Sequence, residues 1–277
     1  MKKMLLFVLP LLFAATACTH SVPPQAGTIV CDTLSGVPCC IYLPQAYAER
    51  AQKQEIFPVL YLQHGMFGSE DDWTKQGRLV AIMDSLLRRG EVKEMVVVMP
   101  DNFLGSLPPT ERQALMAEAD VTPDGEPFDT SKGAAHWRKL TYEQEKNCET
   151  SGYWETHFAA FMAEAERRYR VSREPSQRAV AGLSMGGYHT MMVAHELDGQ
   201  FAYVGMFSPA TFVHYAPSEP ALLWVGIGNE DFLYDMLQDY RHWLETNHRE
   251  YTYYESAGGH DWPNWQDYIG RFLKLLF

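Results

Sequence analysis

The feature that most constrains this chain is an alternation. Short runs, apolar almost throughout, alternate along most of the chain with segments of helical periodicity. FPVLYLQ (57–63), EMVVVMP (94–100), QRAVAGL (177–183), FAYVGMF (201–207) and ALLWVGIG (221–228) have strand length and lack the polar-apolar alternation of a half-exposed strand. Both faces of such strands must be covered. The covers are predicted as helices over 77–90, 154–170, 185–197, 232–247 and about 263–276, with a further strand over 251–256. The second of these helices gathers Trp154, Phe158, Phe161, Met162, Ala165 and Tyr169 on one face. The expected architecture is α/β: a mostly parallel central sheet with helices on both faces. A chain of 277 residues can bury a sizeable core, and no internal repeat divides it, so 28–277 reads as one domain.

Two segments stand outside the alternation. Residues 102–150 carry PP, DGEP and TSKG and little periodicity, and read as a lid-like insertion over one end of the sheet. At the start, Lys2 and Lys3 precede MLLFVLPLLFAATA and then Cys18, the layout of a signal peptide over 1–17. Ala15-Thr16-Ala17-Cys18 resembles a bacterial lipobox, in which Cys18 becomes the lipidated first residue and 18–27 a tether. The plainer alternative is cleavage after Ala17 with Cys18 incidental. Both readings export the chain; the first makes it an outer-membrane or periplasm-associated lipoprotein, touching membrane only through its anchor.

Export permits disulfides. The stretch TIVCDTLSGVPCCIYLP reads as two strands around Leu34-Ser35-Gly36, which sets Cys31 opposite Cys39 or Cys40. A cross-hairpin bridge to either, or buried reduced thiols, are the alternatives, and Cys148 is left without an assigned partner. No CxxC pair exists to build a zinc ribbon. The net charge of −12, from 23 basic and 35 acidic residues, excludes nucleic acid as a natural partner.

Chemistry enters at AVAGLSMGGYHT (179–190). A buried strand stops at Gly182-Leu183-Ser184-Met185-Gly186 and a helix follows, so Ser184 sits at the carboxyl end of a strand, where open α/β sheets bind ligands. Glycines two residues either side fit a turn whose backbones pass too close for a Cβ. This is the pattern of a nucleophile elbow. The competing reading is a glycine-rich helix start that packs closely or binds an anion. A nucleophilic serine needs a base and an orienting acid, in the chain order Ser, acid, His for this fold. His260 follows the last strand in SAGGHDW, and Asp231 ends the strand 221–228 in NED. Glu230 and Asp235 are rivals, and Asp231 is also placed to cap the next helix. His64-Gly65-Met66 follows strand 57–63; the Met66 and Met185 amides are the expected oxyanion donors, and His64 is read as structural. His195-Glu196 is no zinc motif, since Gly199 stands where a second histidine is required.

Together these segments resemble the esterase D-like branch of the α/β-hydrolases, and within it the feruloyl and acetyl-xylan esterases of carbohydrate esterase family 1. The matching residues are Leu60 to Gly65, Gly68 to Trp73, Gly182 to Gly187, Gly228 to Asp231, and Gly259 to Trp262 with Trp265. The resemblance implies an α/β-hydrolase fold and a serine esterase without metal or cofactor, with Ser184 as nucleophile, His260 as base, Asp231 as its orienter, and Met66 and Met185 at the oxyanion. It also implies acylated plant polysaccharides or other small esters as substrates. Trp73, Trp262 and Trp265, with Trp154 and Tyr188, are candidates to line an acyl slot. Acyl transfer or peptidase activity on the same triad is an alternative, as is a non-catalytic carbohydrate-binding surface lipoprotein. The 102–150 insertion, with Trp137, Tyr142 and Cys148, and the vicinal Cys39-Cys40 pair depart from the family pattern.

Overall fold

The computed structural model describes residues 26–66, 68–102, 153–212 and 214–277. The signal peptide, Cys18, nearly all of the tether, and the insertion beyond Asn102 with Trp137, Tyr142 and Cys148 lie outside the described residues.

The chain begins with a hairpin, β1 (Thr28–Leu34) and β2 (Val37–Leu43). Its two-residue turn has positive φ at both Ser35 (49°) and Gly36 (82°), the left-handed geometry whose twist matches a tight hairpin. Then come α1 (Tyr47–Gln52), β3 (Val59–Gln63), α2 (Asp72–Lys75), α3 (Leu79–Arg88) and β4 (Val96–Pro100). After them follow α4 (Tyr153–Tyr169), β5 (Arg178–Leu183), α5 (Met185–Glu196), β6 (Tyr203–Phe207), β7 (Leu222–Gly228), α6 (Tyr234–Thr246), β8 (Thr252–Ser256) and α7 (Trp262–Leu273).

Eight strands form one sheet in the order β1-β2-β4-β3-β5-β6-β7-β8. The pairs β1/β2 and β2/β4 are antiparallel and every other neighbouring pair is parallel. The wholly apolar strands are explained by two cores, one on each face. Tyr61, Val98 and Val180 point to one face, beneath Phe158 and Phe161 of α4, Met191 of α5 and Leu237 of α6. Their neighbours Leu60, Val97 and Ala181 point to the other, beneath Met83 of α3 and Ile269 and Phe272 of α7. The expected α/β architecture is therefore present. The short helices α1 and α2 were not anticipated: six and four residues are too few for an amphipathic period to register. In the hairpin, Cys31 pairs with Cys40 rather than Cys39.

Candidate active site

The carboxyl ends of β3, β5 and β7, and the loop after β8, converge on one edge of the sheet. At the end of β5, Ser184 adopts φ 54° and ψ −118°, a strained conformation for a residue with a Cβ. What enforces it is visible in the two glycines. A Cβ on Gly182 would stand 2.3 Å from the Gly186 carbonyl oxygen, and one on Gly186 would stand 2.3 Å from the carbonyl oxygen of His64. The elbow thus packs backbone on backbone, both within itself and against the end of β3.

Ser184 Oγ lies 2.9 Å from His260 Nε2. On the other side of the ring, Nδ1 lies 2.9 Å and 3.0 Å from the two carboxylate oxygens of Asp231. An ionised carboxylate only accepts, so Nδ1 carries the proton and Nε2 is free to accept from the serine hydroxyl. The Asp231 side chain is fully buried, and its Oδ1 also accepts the Leu233 N–H at 2.9 Å. The capping role foreseen for Asp231 becomes this turn bond just ahead of α6. Glu230 is exposed, and the hydrogen bond to His260 belongs to Asp231. The imidazole is held between Phe232 and Trp265, with ring centroids at 4.5 Å and 4.9 Å.

The loop bearing His260 is fixed by groups the sequence did not advertise. Asn264, a turn into α7, donates from Nδ2 to the Gly259 carbonyl at 2.8 Å, while its Oδ1 accepts from Ser256 Oγ at 3.0 Å. Ser256 Oγ in turn lies 2.6 Å from the Tyr268 hydroxyl. The Gly258 carbonyl accepts the Glu230 N–H at 2.9 Å, tying the loop to the end of β7.

The turn after β3 is held as firmly. Asn102 Oδ1 accepts the His64 N–H at 2.9 Å, and its Nδ2 donates to the His64 carbonyl at 3.2 Å. The Asn102 N–H donates to His64 Nε2 at 3.2 Å, which leaves Nδ1 to donate to the Gly65 carbonyl at 2.7 Å. His64 is therefore a structural residue, as read. Gly65 lies against the elbow: a Cβ there would stand 3.3 Å from Ser184 Cβ. Met66 follows in that turn, and Met185 opens α5, where the first amides have no partner within the helix. His189, on α5, places Nδ1 3.0 Å from Asn102 Nδ2; burial, and next the neighbouring His64, push its pKa down to about 3, so it stays a neutral acceptor.

The three tryptophans separate. Trp265 packs against His260 and against Trp262, whose ring in turn meets Trp73. Trp73 lines no slot: it is 1% exposed, and its indole N–H is spent on the Gln63 carbonyl at 3.0 Å. Trp154 is likewise a core residue, donating to Gln63 Oε1 at 2.6 Å. Among the described residues, no group of three or more His, Cys, Asp or Glu side chains is placed to share a metal ion.

The sequence matches the family model described as "Putative esterase" over residues 35–103 and 109–274. This chain belongs to that esterase family. An endo-1,4-beta-xylanase/feruloyl esterase of Xylanibacter ruminicola is 28% identical over 195 residues, which are 69% of this esterase and 22% of that protein. The esterase thus spans about a fifth of the length of the curated relative it matches. Among solved structures, a ferulic acid esterase from Anaeromyces mucronatus in complex with ferulic acid superposes with TM-score 0.68 at 22% identity, covering 91% of the esterase and 92% of that chain. An S-formylglutathione hydrolase from Staphylococcus aureus superposes with TM-score 0.58 at 16% identity, covering 90% and 95%. These likenesses establish the α/β-hydrolase fold for this member of the esterase family. Asn264 and Asn102 are the site residues that sequence reasoning missed. The one available signal was a polar residue on the otherwise apolar face of α7.

Proposed function

We propose that this esterase uses Ser184, His260 and Asp231 as a catalytic triad to remove feruloyl or acetyl groups from plant polysaccharides or their oligosaccharides. The observation that carries the triad is the unbroken line of hydrogen bonds from Ser184 Oγ through His260 to Asp231. His260 Nε2 takes the hydroxyl proton as Oγ attacks the ester carbonyl, and the ring becomes a cation beside the buried carboxylate. The Met66 and Met185 amides receive the developing oxyanion. Nε2 then protonates the leaving alcohol. Water, deprotonated by the same nitrogen, releases the acid from Ser184. Because Nε2 must be unprotonated at the start, the rate falls in acid.

The acyl group and the sugar are inferred from the feruloyl esterase named in the Xylanibacter relative and from the ferulic acid bound by the Anaeromyces structure. Trp262, half-buried and packed edge-on against Trp265, is the aromatic residue proposed to face the acyl group; Trp265 is buried in the core and supports His260 from behind. The leader further supports an exported lipoprotein anchored through Cys18, which Cys18→Ser would release from the membrane fraction. The deciding experiment incubates the protein with arabinoxylan bearing both esters and identifies the released acids, with Ser184→Ala as control. Ferulate or acetate release that Ser184→Ala lowers by roughly 10⁴-fold or more supports the reading. Near-normal release by that variant overturns the triad. Products on an acceptor other than water would favour acyl transfer.

A further inference from the structure

We propose that Cys31 and Cys40 are a disulfide-forming pair that staples the edge hairpin of the sheet. The two residues are directly opposed in the β1/β2 ladder, and their sulfurs stand 3.4 Å apart. The phase of the ladder favours the bond. The Pro38 carbonyl accepts the Asp101 N–H at 2.9 Å, so the polar backbone of Pro38 faces β4 rather than β1. Backbone direction alternates along a strand, so Cys40, two residues on, also turns its backbone toward β4. Cys31 and Cys40 are then a non-hydrogen-bonded pair, the closer of the two antiparallel kinds, with Cα atoms about 4.5 Å apart. That spacing lies within the range a disulfide spans. Cys39 is excluded by the same alternation: it points into the opposite core, with its sulfur 3.6 Å from the Asp32 carbonyl.

The roles of the two thiols differ. Cys31 is exposed, whereas Cys40 is buried, and burial pushes its thiol up to about 12. Cys31 is therefore the entry point. Its thiolate attacks a disulfide donor such as oxidised glutathione, and one glutathione thiolate leaves. Cys40 then loses its proton and attacks Cys31 Sγ, expelling the second glutathione. Two thiols are oxidised, one donor disulfide is reduced, and both protons end on glutathione.

The test is to incubate the reduced, folded, full chain with oxidised glutathione, block remaining thiols with iodoacetamide, and map peptides by mass spectrometry. The expected result is a cross-link joining Cys31 to Cys40, with Cys39 free until denaturation and the melting temperature raised by roughly 5 °C. Cys39→Ser should form the same bridge, and Cys40→Ser should retain glutathione on Cys31. A bridge to Cys39, alkylation of both Cys31 and Cys40, or glutathione left on Cys31 of the wild-type chain would each overturn the proposal. None of these readouts depends on esterase activity.

Discussion

Asp231 accepts from His260 Nδ1 at 2.9 Å and from the Leu233 amide at 2.9 Å, and water reaches neither carboxylate oxygen. Replacing it by asparagine separates its two functions. In Asp231→Asn the amide oxygen keeps the Leu233 bond, so the fold survives. The amide nitrogen, however, faces Nδ1 as a donor and drives the ring proton to Nε2, which can then no longer accept from Ser184. We expect kcat on a small activated ester to fall by about 10⁴-fold with an unchanged circular dichroism spectrum. His189 offers a second test at this scale. Its pKa in the folded protein is about 3, against about 6.5 when unfolded. Between those values the unfolded chain binds more protons, so the stability that neutral His189 contributes is intact above about pH 6.5 and is lost as the pH falls toward 3. Urea midpoints near neutral pH and at about pH 4.5 should drop less in His189→Gln than in the wild type. Equal drops would mean that the ring is reached by water.

The turn after β3 owes its shape to hydrogen bonds from outside the element, since Asn102 brackets the His64 peptide on both sides. Loosening that turn displaces the Met66 amide, the proposed oxyanion donor, without touching the proposed triad. Asn102→Ala should therefore cost kcat about 10²-fold, with KM changed far less. Asn102→Asp, which keeps the acceptor for the His64 N–H, should recover part of it. A loss confined to KM would instead place Asn102 in substrate binding. This element also marks the boundary of what the sequence could say. Ser184, Asp231 and His260, the proposed triad, were legible because a serine esterase needs those side-chain types at the ends of strands, in that order. Asn102 and Asn264 were not, because they act on backbone carbonyls and amides brought near only by the tertiary fold. Trp73 misled for the same reason: a tryptophan in a matching motif looks like a pocket wall until the Gln63 carbonyl claims its N–H.

At the scale of the whole molecule, the sheet keeps stability and chemistry apart. Apolar side chains fill its two faces, while the proposed triad stands at one edge, on backbone positioned by those faces. Phe158 shows the separation. It is fully buried in α4, with ring contacts to Tyr61, Trp154, Phe161 and Phe201, none of which touches Ser184 or His260. Phe158→Ala removes those contacts and leaves a cavity that the close-packed sheet below cannot collapse to fill. The cost is about 3–5 kcal/mol. For a chain of this size that lowers the melting temperature by roughly 5–9 °C. Catalysis should follow a different course. Well below the new transition, kcat on a small ester should stay within about twofold of the wild type, because strand ends and elbow remain in place. Thermal melts and initial rates on the same preparation decide it. If kcat falls tenfold while the spectrum reports a folded protein, α4 shapes the reacting edge as well as the core, and the separation of the two is lost.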